Sequence, residues 1–523
     1  MNILFPTQSG GLQMFHLLGQ ALKDRTEIDR LGFTVADRWY YSNWIKDNQD
    51  FENSNHLITQ EWDITTNRHA PPDMVKLAKY EKMLAGPNDA GPGLFGAVVA
   101  DRRLLMGQDC YYSQDYRRRF SDAELLRILQ KGCEAMEQMF DDLKPDLVVG
   151  FVCVSILEYL AFLFAKARGV RYLNIRTSRI GNRILLADTH RDPAAEVATA
   201  LATNNFTDTD IKFSREWIHA ARFIDAKYEG VSTPSAKPAQ KFGIAGGKIG
   251  APFRFLKRLK EYKACGAAED NHSPGLIRPT IFKLLINPMR ARKAERTLRP
   301  TYITAKELKE TRYAIFPLHT EPEMSLLLYG RPYVNQIELL RAIALSLPAD
   351  MILVVKEHPW MVGKRSISAY LKMLNIPRLR LAAPELTVRT LIEGAALCCV
   401  HTGSSWWEAA VLKIPVLALG PIMGELLPED MVRRCHDFTL LPETIATLLS
   451  TAKHQEKQLE DLVAAISACT IPINLYTGLL ERAAYRTEEI DRDQELARMA
   501  DFILKRMNEA NQSAPTNLQA GSW

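Results

Sequence analysis

Val400-His401-Thr402-Gly403-Ser404-Ser405-Trp406-Trp407-Glu408-Ala409-Ala410 is the stretch that decides the fold. Residues 396–400 before it are a short apolar run of strand length. Residues 406–412 read as a helix, and 415–420 read as the next buried strand. The chain therefore leaves a sheet through a polar turn, Thr402-Gly403-Ser404-Ser405, and opens a helix. A helix start offers unpaired backbone N–H groups and the positive end of a dipole, which suits a phosphate. Ser404 and Ser405 add hydroxyl donors there, and Glu408, one turn in, reaches toward sugar hydroxyls. Ser405-x-x-Glu408 is also a capping box, which satisfies the same donors without a ligand. Taken alone, the stretch leaves both readings open.

At 523 residues the chain is long enough for two domains and large cores. Its composition is that of an ordinary globular protein. The eight cysteines are scattered without a CxxC pair, so reduced thiols and a cytoplasmic setting are expected. Met1-Asn2-Ile3-Leu4-Phe5-Pro6 runs directly into a strand with no basic leader. Residues 147–167 approach the length of a bilayer span. Gly150, Ser155 and Glu158 break that stretch into a strand (147–151) and a buried helix (156–168). Residues 237–312 carry 18 Lys/Arg against 6 Asp/Glu, while the remainder is slightly acidic. This basic middle suits an anionic membrane surface or glycan, or a solvated surface between domains. With no accompanying reader motif or aromatic platform, no nucleic acid is expected.

Strand, turn and helix alternate in both halves of the chain. Residues 2–6 form a strand that ends in a turn bearing Gly10 and Gly11, without a full dinucleotide fingerprint. A strand at 31–36 follows, then helices and long loops over 37–120. Residues 121–143 form an amphipathic helix with Ser121 as cap and Glu124 three residues on. The βαβ unit 147–175 delivers Arg176 and Arg179 to a strand end, where anionic ligands gather in open sheets. Residues 190–312 read as a basic helical insert or connection. A second α/β domain runs over 313–480, and 481–523 is a charged helix with a disordered tail. The expected fold is α/β, with two largely parallel sheets in domains 1–189 and 313–480.

Three strand ends of the second domain deliver polar turns: Leu318-His319-Thr320-Glu321-Pro322-Glu323, Lys356-Glu357-His358-Pro359, and the opening stretch. Parallel strands put all three on one sheet edge. His358 and the serine-bearing helix start then face an anion. Glu321 and Glu323, at i and i+2 in an extended turn, share a side and suit chemistry at a sugar centre. His319, His358 and His401 lack metal-ligand spacing, and neither G-x-S-x-G nor a Walker A motif is present. No metal and no cofactor is expected.

Those three turns, with Tyr333-Val334-Asn335-Gln336 and Leu347-Pro348 between them, resemble in order the bacterial capsule polysaccharide biosynthesis family, which includes Kdo transferases. The likeness covers 313–420 well and 1–185 in outline. It implies a GT-B arrangement, two Rossmann-like domains facing across a cleft, with the nucleotide sugar on the C-terminal one. The expected co-substrate is a CMP-sugar, and the acceptor a glycan or lipid-linked glycan. The resemblance puts His358, Ser404 and Ser405 at the donor phosphate, Glu408 at the ribose, and Glu323 ahead of Glu321 as catalytic carboxylate. Lys356, Pro359, Thr402 and Gly403, in the same turns, are expected to bind the nucleotide donor as well. His319, Arg176, Arg179, Gly10 and Gly11 are further donor or acceptor contacts. Members of the family carry Gln-x-Glu-Asp-Asp where this chain has His319-x-Glu321-Pro322-Glu323, which leaves open the donor sugar and the stereochemistry. A nucleoside-diphosphate-sugar transferase or epimerase, or a non-catalytic scaffold, are the alternatives. The expected location is cytoplasmic, including the inner face of the membrane.

Overall fold

The structure is a computed structural model. It describes residues 1–84, 93–106, 118–223, 251–273, 275–331, 333–480 and 490–512. Residues 86–92, Tyr111, Tyr112, residues 237–250 of the basic segment and the tail 513–523 lie outside the described residues.

The first sheet contains β1 (Asn2–Gln8), β2 (Arg30–Ala36), β3 (Leu57–Gln60), β4 (Leu147–Gly150), β5 (Arg171–Thr177) and β6 (Arg183–Ala187). The second contains β7 (Tyr302–Ile303), β8 (Tyr313–Pro317), β9 (Ile352–Lys356), β10 (Leu379–Ala382), β11 (Leu397–Val400), β12 (Val416–Ala418) and β13 (Val432–Arg434). The chain then returns, and β14 (Thr470–Pro472) pairs antiparallel with β6 in the first sheet. Edge to edge, the sheets run β14-β6-β5-β4-β1-β2-β3 and β13-β12-β11-β8-β9-β10-β7. Counted from β1 in the first sheet and from β8 in the second, both contain the order 3-2-1-4-5-6, the doubly wound dinucleotide-fold order. The second sheet is parallel throughout. Two parallel-sheet α/β domains are thus the architecture, as the resemblance implies. The second sheet already begins at Tyr302, ahead of residue 313.

Parallel strands are covered by helices on both faces and so read as unbroken apolar runs. Leu397, Cys398, Cys399 and Val400 are all buried. The helix Asp122–Leu143 forms where Ser121 and Glu124 close a capping box, and it buries Leu125, Ile128, Leu129, Met136, Met139 and Phe140 at helical spacing. A second box, Ser155 with Glu158, starts the helix Ile156–Ala167 behind β4. The stretch resembling a bilayer span is therefore a core strand and a core helix. Among the described residues no helix is long and apolar enough to cross a membrane.

Among the described residues the middle of the chain carries the helices Ala195–Ala202, Asp208–Phe223 and Ala251–Ala264, which precede a long helix that begins at Ile277. Asp208–Phe223 packs along Glu456–Ala468, with Arg215 3.0 Å from Glu460. The last helix, Arg492–Gln512, lies on Gly11–Lys23 of the first domain, where Arg25 meets Asp501 at 2.6 Å. The chain thus crosses back, and its C-terminal helix completes the N-terminal domain.

Candidate functional site

β8 is the central strand of the second sheet, and β9 and β11 flank it on either side. The chain winds one way from β8 through β9 and the other way through β11, so the carboxyl ends of these strands frame a topological switch point. Ligands of open α/β sheets sit in that crevice. The three polar turns picked out in the sequence leave β8, β9 and β11, and all open there.

His319 ties two of the turns together. Its Nε2 accepts from the N–H of Thr402 at 3.5 Å, which leaves the ring proton on Nδ1. Nδ1 lies 3.5 Å from Glu323 Oε2 and 3.3 Å from Ser325 Oγ. Thr320 Oγ1 donates to the same Glu323 oxygen at 2.8 Å. Burial alone would raise the pKa of Glu323, but hydrogen bonds from His319 and Thr320 override it and hold the carboxyl at about 2. The side chain is still 43 % exposed, so an ionised carboxylate faces the crevice. Gly403 packs close by: a Cβ there would come 3.3 Å from His319 Nε2, a tight approach.

Glu321 behaves differently from its neighbour. Its carboxylate turns inward, accepts from Gln336 Nε2, and pairs with Arg365 NH1 at 2.9 Å. Arg365 is fully buried, and its Nε lies 2.7 Å from Glu357 Oε2. Tyr370 donates to that same oxygen at 2.8 Å. One buried guanidinium thus locks the β8 turn to the β9 turn. The expected side-by-side carboxylate pair does not form, because Arg365 draws Glu321 away from the crevice. Nothing in the spacing of Glu321, Glu357 and Arg365 announces this.

His358 caps the turn Pro359–Met361: its Nδ1 accepts from the N–H of Trp360 at 3.2 Å, so the ring proton sits on Nε2. Burial lowers its pKa, with Glu323 and Glu357 pulling the other way. A neutral imidazole with a donor on Nε2 results. Pro359 is exposed at the start of that turn. Lys356 is placed elsewhere: its ammonium donates to the carbonyls of Ala383 and Pro384, 2.9 Å each, in the turn after β10. Burial lowers its pKa to about 8.

The helix Ser405–Val411 begins at Ser404 with no side-chain cap, so the capping box Ser405-x-x-Glu408 is not formed. Ser404 and Ser405 are half-buried at this start, and Glu408 is half-buried one turn in. Thr402 is held by donating from Oγ1 to the Ser325 carbonyl at 3.2 Å. His401 is a core residue: it packs on Gly330, and burial lowers it to about 3.

The segment after Glu323 docks on the first domain. Leu328 joins the first domain's core, Arg331 donates to the Gly96 carbonyl at 3.0 Å, and Arg102 donates to that of Pro322 at 3.3 Å. Glu323 therefore lies at the seam between the domains. On the first-domain side, a Cβ at Gly10 or Gly11 would meet nothing within 4 Å, so that turn faces open space. Arg176 is not available to an anion. Its guanidinium pairs with Asp192 and donates to the Arg191 carbonyl at 2.7 Å. Arg179, at φ +64°, is half-buried, and its NH1 has no hydrogen-bond partner among the described residues.

The first sheet's carboxyl edge holds a feature that the sequence did not reveal. Asp270-Asn271-His272-Ser273, all buried, fill it. Ser273 Oγ donates to Asp37, just after β2, at 3.0 Å. His272 Nε2 lies 2.7 Å from both Asp101 Oδ2 and Glu61 Oε1, the latter just after β3. Among the described residues Glu61, Asp101 and His272 are the group close enough to hold a metal ion, with ligand atoms within 4.8 Å of one another. Arg103 NH1, however, is 2.9 Å from His272 Nδ1. Burial and this guanidinium favour a neutral ring, the two carboxylates a charged one. The carboxylates outweigh burial: Asp101 and Glu61 raise the His272 pKa well above its ordinary value. Its Nε2 hydrogen-bonds Asp101, while Glu61 Oε1 makes the ion contact without a hydrogen bond.

No family model matches the chain, and no curated protein matches it. Among solved structures it is similar to the beta Kdo 2,7 transferase KpsC of Thermosulfurimonas dismutans, with 13% identity over 70% of this chain and 89% of that one and a TM-score of 0.36. The beta Kdo 2,4 transferase of the same organism gives 13% identity over 61% and 79%, with a TM-score of 0.32. A UDP-GlcNAc 2-epimerase from Neisseria meningitidis bound to UDP-GlcNAc gives 11% over 97% and 100%, with a TM-score of 0.26. Scores of this size assign neither donor nor reaction to the chain, whose site rests on its own strands and side chains.

Proposed function

We propose that this chain is a metal-independent glycosyltransferase of capsule-type surface polysaccharide assembly. It moves an acidic sugar such as Kdo from a CMP-activated donor to a glycan or glycolipid acceptor. The observation that carries this reading is the meeting of three turns at the switch point of the second sheet. They bring together the His358 Nε2 donor, the uncapped helix start at Ser404 and Ser405, and the ionised carboxylate of Glu323.

In this reading the donor's phosphate sits between His358 and the Gly403–Ser405 turn, and Glu408 serves the ribose. Bond making and breaking at the anomeric carbon separate charge: the sugar carbon becomes cationic while the phosphate leaves as an anion. Fixed donors aimed at the leaving phosphate lower that barrier without a metal. A carboxylate held near 2 is a weak proton acceptor but stays ionised across the physiological range. Ion-pairing with the oxocarbenium-like centre, or attack on it, fits Glu323 better than proton abstraction. Glu321, Arg365 and Glu357 hold the turns in register.

Calorimetric titration with a nucleotide panel tests this directly. CMP binding supports the reading. UDP binding in its place moves the chain to the nucleoside-diphosphate class, and no binding to any nucleotide points to a scaffold.

A further inference from the structure

The segments Ile277–Ile281, Phe282–Ile286 and Asn287–Leu298 run on as one helix with a single wide turn in its middle. Its second half is anchored. Ala294 and Leu298 are buried in the core of the second domain. Gly363, at φ +81°, lets the loop after His358 approach so closely that a Cβ would fall 2.8 Å from the Asn287 carbonyl.

Among the described residues, the first half is not covered in this way. Ile277, Ile281, Leu284, Leu285 and Met289 are 45 to 67 % exposed, and their spacing of i, i+4, i+7, i+8 and i+12 gathers them into one stripe. Contiguous exposed apolar area of this kind marks a contact site. The charge around the stripe is one-sided. From 277 to 299 the helix carries Arg278, Lys283, Arg290, Arg292, Lys293, Arg296 and Arg299 against the single acid Glu295. On the preceding helix, Phe255 and Leu256 are also exposed, beside Lys257 and Arg258; the side chains of Phe253 and Arg254 lie outside the described residues.

We propose that this helix face docks on an anionic lipid bilayer, lying in the interface plane. Aliphatic side chains on one stripe enter the acyl boundary, while the flanking Lys and Arg heads stay at the phosphate level, the division of labour of an interfacial amphipathic helix. A nucleic acid or glycan would match the charge but not the row of aliphatic side chains. The anchored half backs onto the loop that follows His358, so docking would bring the candidate site to the membrane surface, where a lipid-linked acceptor is held. The surface itself does not depend on the identity of the donor.

Sedimentation of the full chain with phosphatidylcholine vesicles, with and without phosphatidylglycerol, tests the proposal. The wild-type chain should pellet with the anionic vesicles and be released as salt rises. Leu284→Ser with Leu285→Ser, and separately Arg292→Glu with Arg296→Glu, should each weaken vesicle binding by about tenfold or more. These side chains are exposed, and unchanged thermal melts would show that the variants fold. Equal pelleting with both vesicle types, pelleting with neither, or variants that bind as the wild type does would overturn the proposal. So would a concentration-dependent dimer lost in the leucine variant, which would put a second copy on the stripe. Nucleotide titration of the same proteins separates this inference from the transferase reading, because neither pair of residues belongs to the donor turns.

Discussion

The two sheets share one strand order, yet their carboxyl edges are finished in opposite ways. In the first domain the chain itself occupies the edge beyond β2 and β3: Ser273 hydrogen-bonds Asp37, and His272 hydrogen-bonds Asp101 and makes an ion contact with Glu61. In the second domain the edge keeps groups turned outward: Glu323 at 43 % exposed, the His358 Nε2 donor, and a helix start that no side chain caps. Polar groups buried and paired stabilise a fold, whereas polar groups prepared but left for a ligand mark a site. One topology thus serves as frame in one half and as binding edge in the other.

The sharpest way to test this contrast is Glu323→Gln. If Glu323 acts at the anomeric carbon, the variant should lose roughly 10²–10⁴-fold in turnover while its nucleotide affinity stays near wild type. Glu321→Gln should instead destabilise the fold, because it leaves the buried Arg365 short of a carboxylate. Turnover and urea unfolding of both variants decide between the roles. A turnover defect confined to Glu321→Gln would reverse the assignment.

The next effect is in the other half. His272→Ala would strand two buried carboxylates, and breaking a buried charged cluster this way costs about 3–5 kcal/mol. Urea midpoints should fall accordingly, with little change in nucleotide affinity. If the variant keeps its stability and loses turnover, the first edge is a reaction site and not a plug.

Legibility followed distance along the chain. The three turns were readable because each is a local pattern, an apolar strand followed within a few residues by Gly, Ser, His or Glu. The helix at 121–143 was readable from its own cap. His272 was not, because Asp101 lies 171 residues away and no periodicity links them. β3 and β14 escaped for a related reason: each is short, and β14 is held by an antiparallel partner distant in sequence; β6 was missed although it follows β5 directly and pairs with it. Lys356, Arg176 and Glu321 sit in or beside the expected turns, but their ends point to partners that only folding supplies. Residue type and turn position predict where a side chain starts, not where its charge goes.

A smaller effect is expected at His358. Removing one donor from a leaving phosphate should weaken nucleotide binding by about 1–2 kcal/mol, the scale of a charge-assisted hydrogen bond. In His358→Ala, titration should read a loss of about tenfold. Full affinity in a folded variant would mean that the second edge binds through the 402–405 turn alone, and the contrast between the edges would rest on a single loop.

The smallest effect concerns Lys356, which stands at the second edge but serves the frame. Burial lowers its pKa from 10.5 to about 8, although Glu385 and Glu357 pull it upward. In the unfolded chain the ammonium regains its ordinary pKa. Between about pH 8 and 10.5 the unfolded state therefore binds more protons than the folded one. Stability then rises with pH across this window, since the folded protein no longer has to hold a buried charge. Lys356→Met should flatten that rise relative to wild type. It should leave nucleotide affinity within about twofold, because the ammonium is committed to the Ala383 and Pro384 carbonyls. Denaturant unfolding at stepped pH measures the first expectation, and titration at pH 7 the second. A large affinity loss with an unchanged pH slope would move Lys356 from the frame to the donor, and it would show that the open edge recruits a cation once the nucleotide arrives.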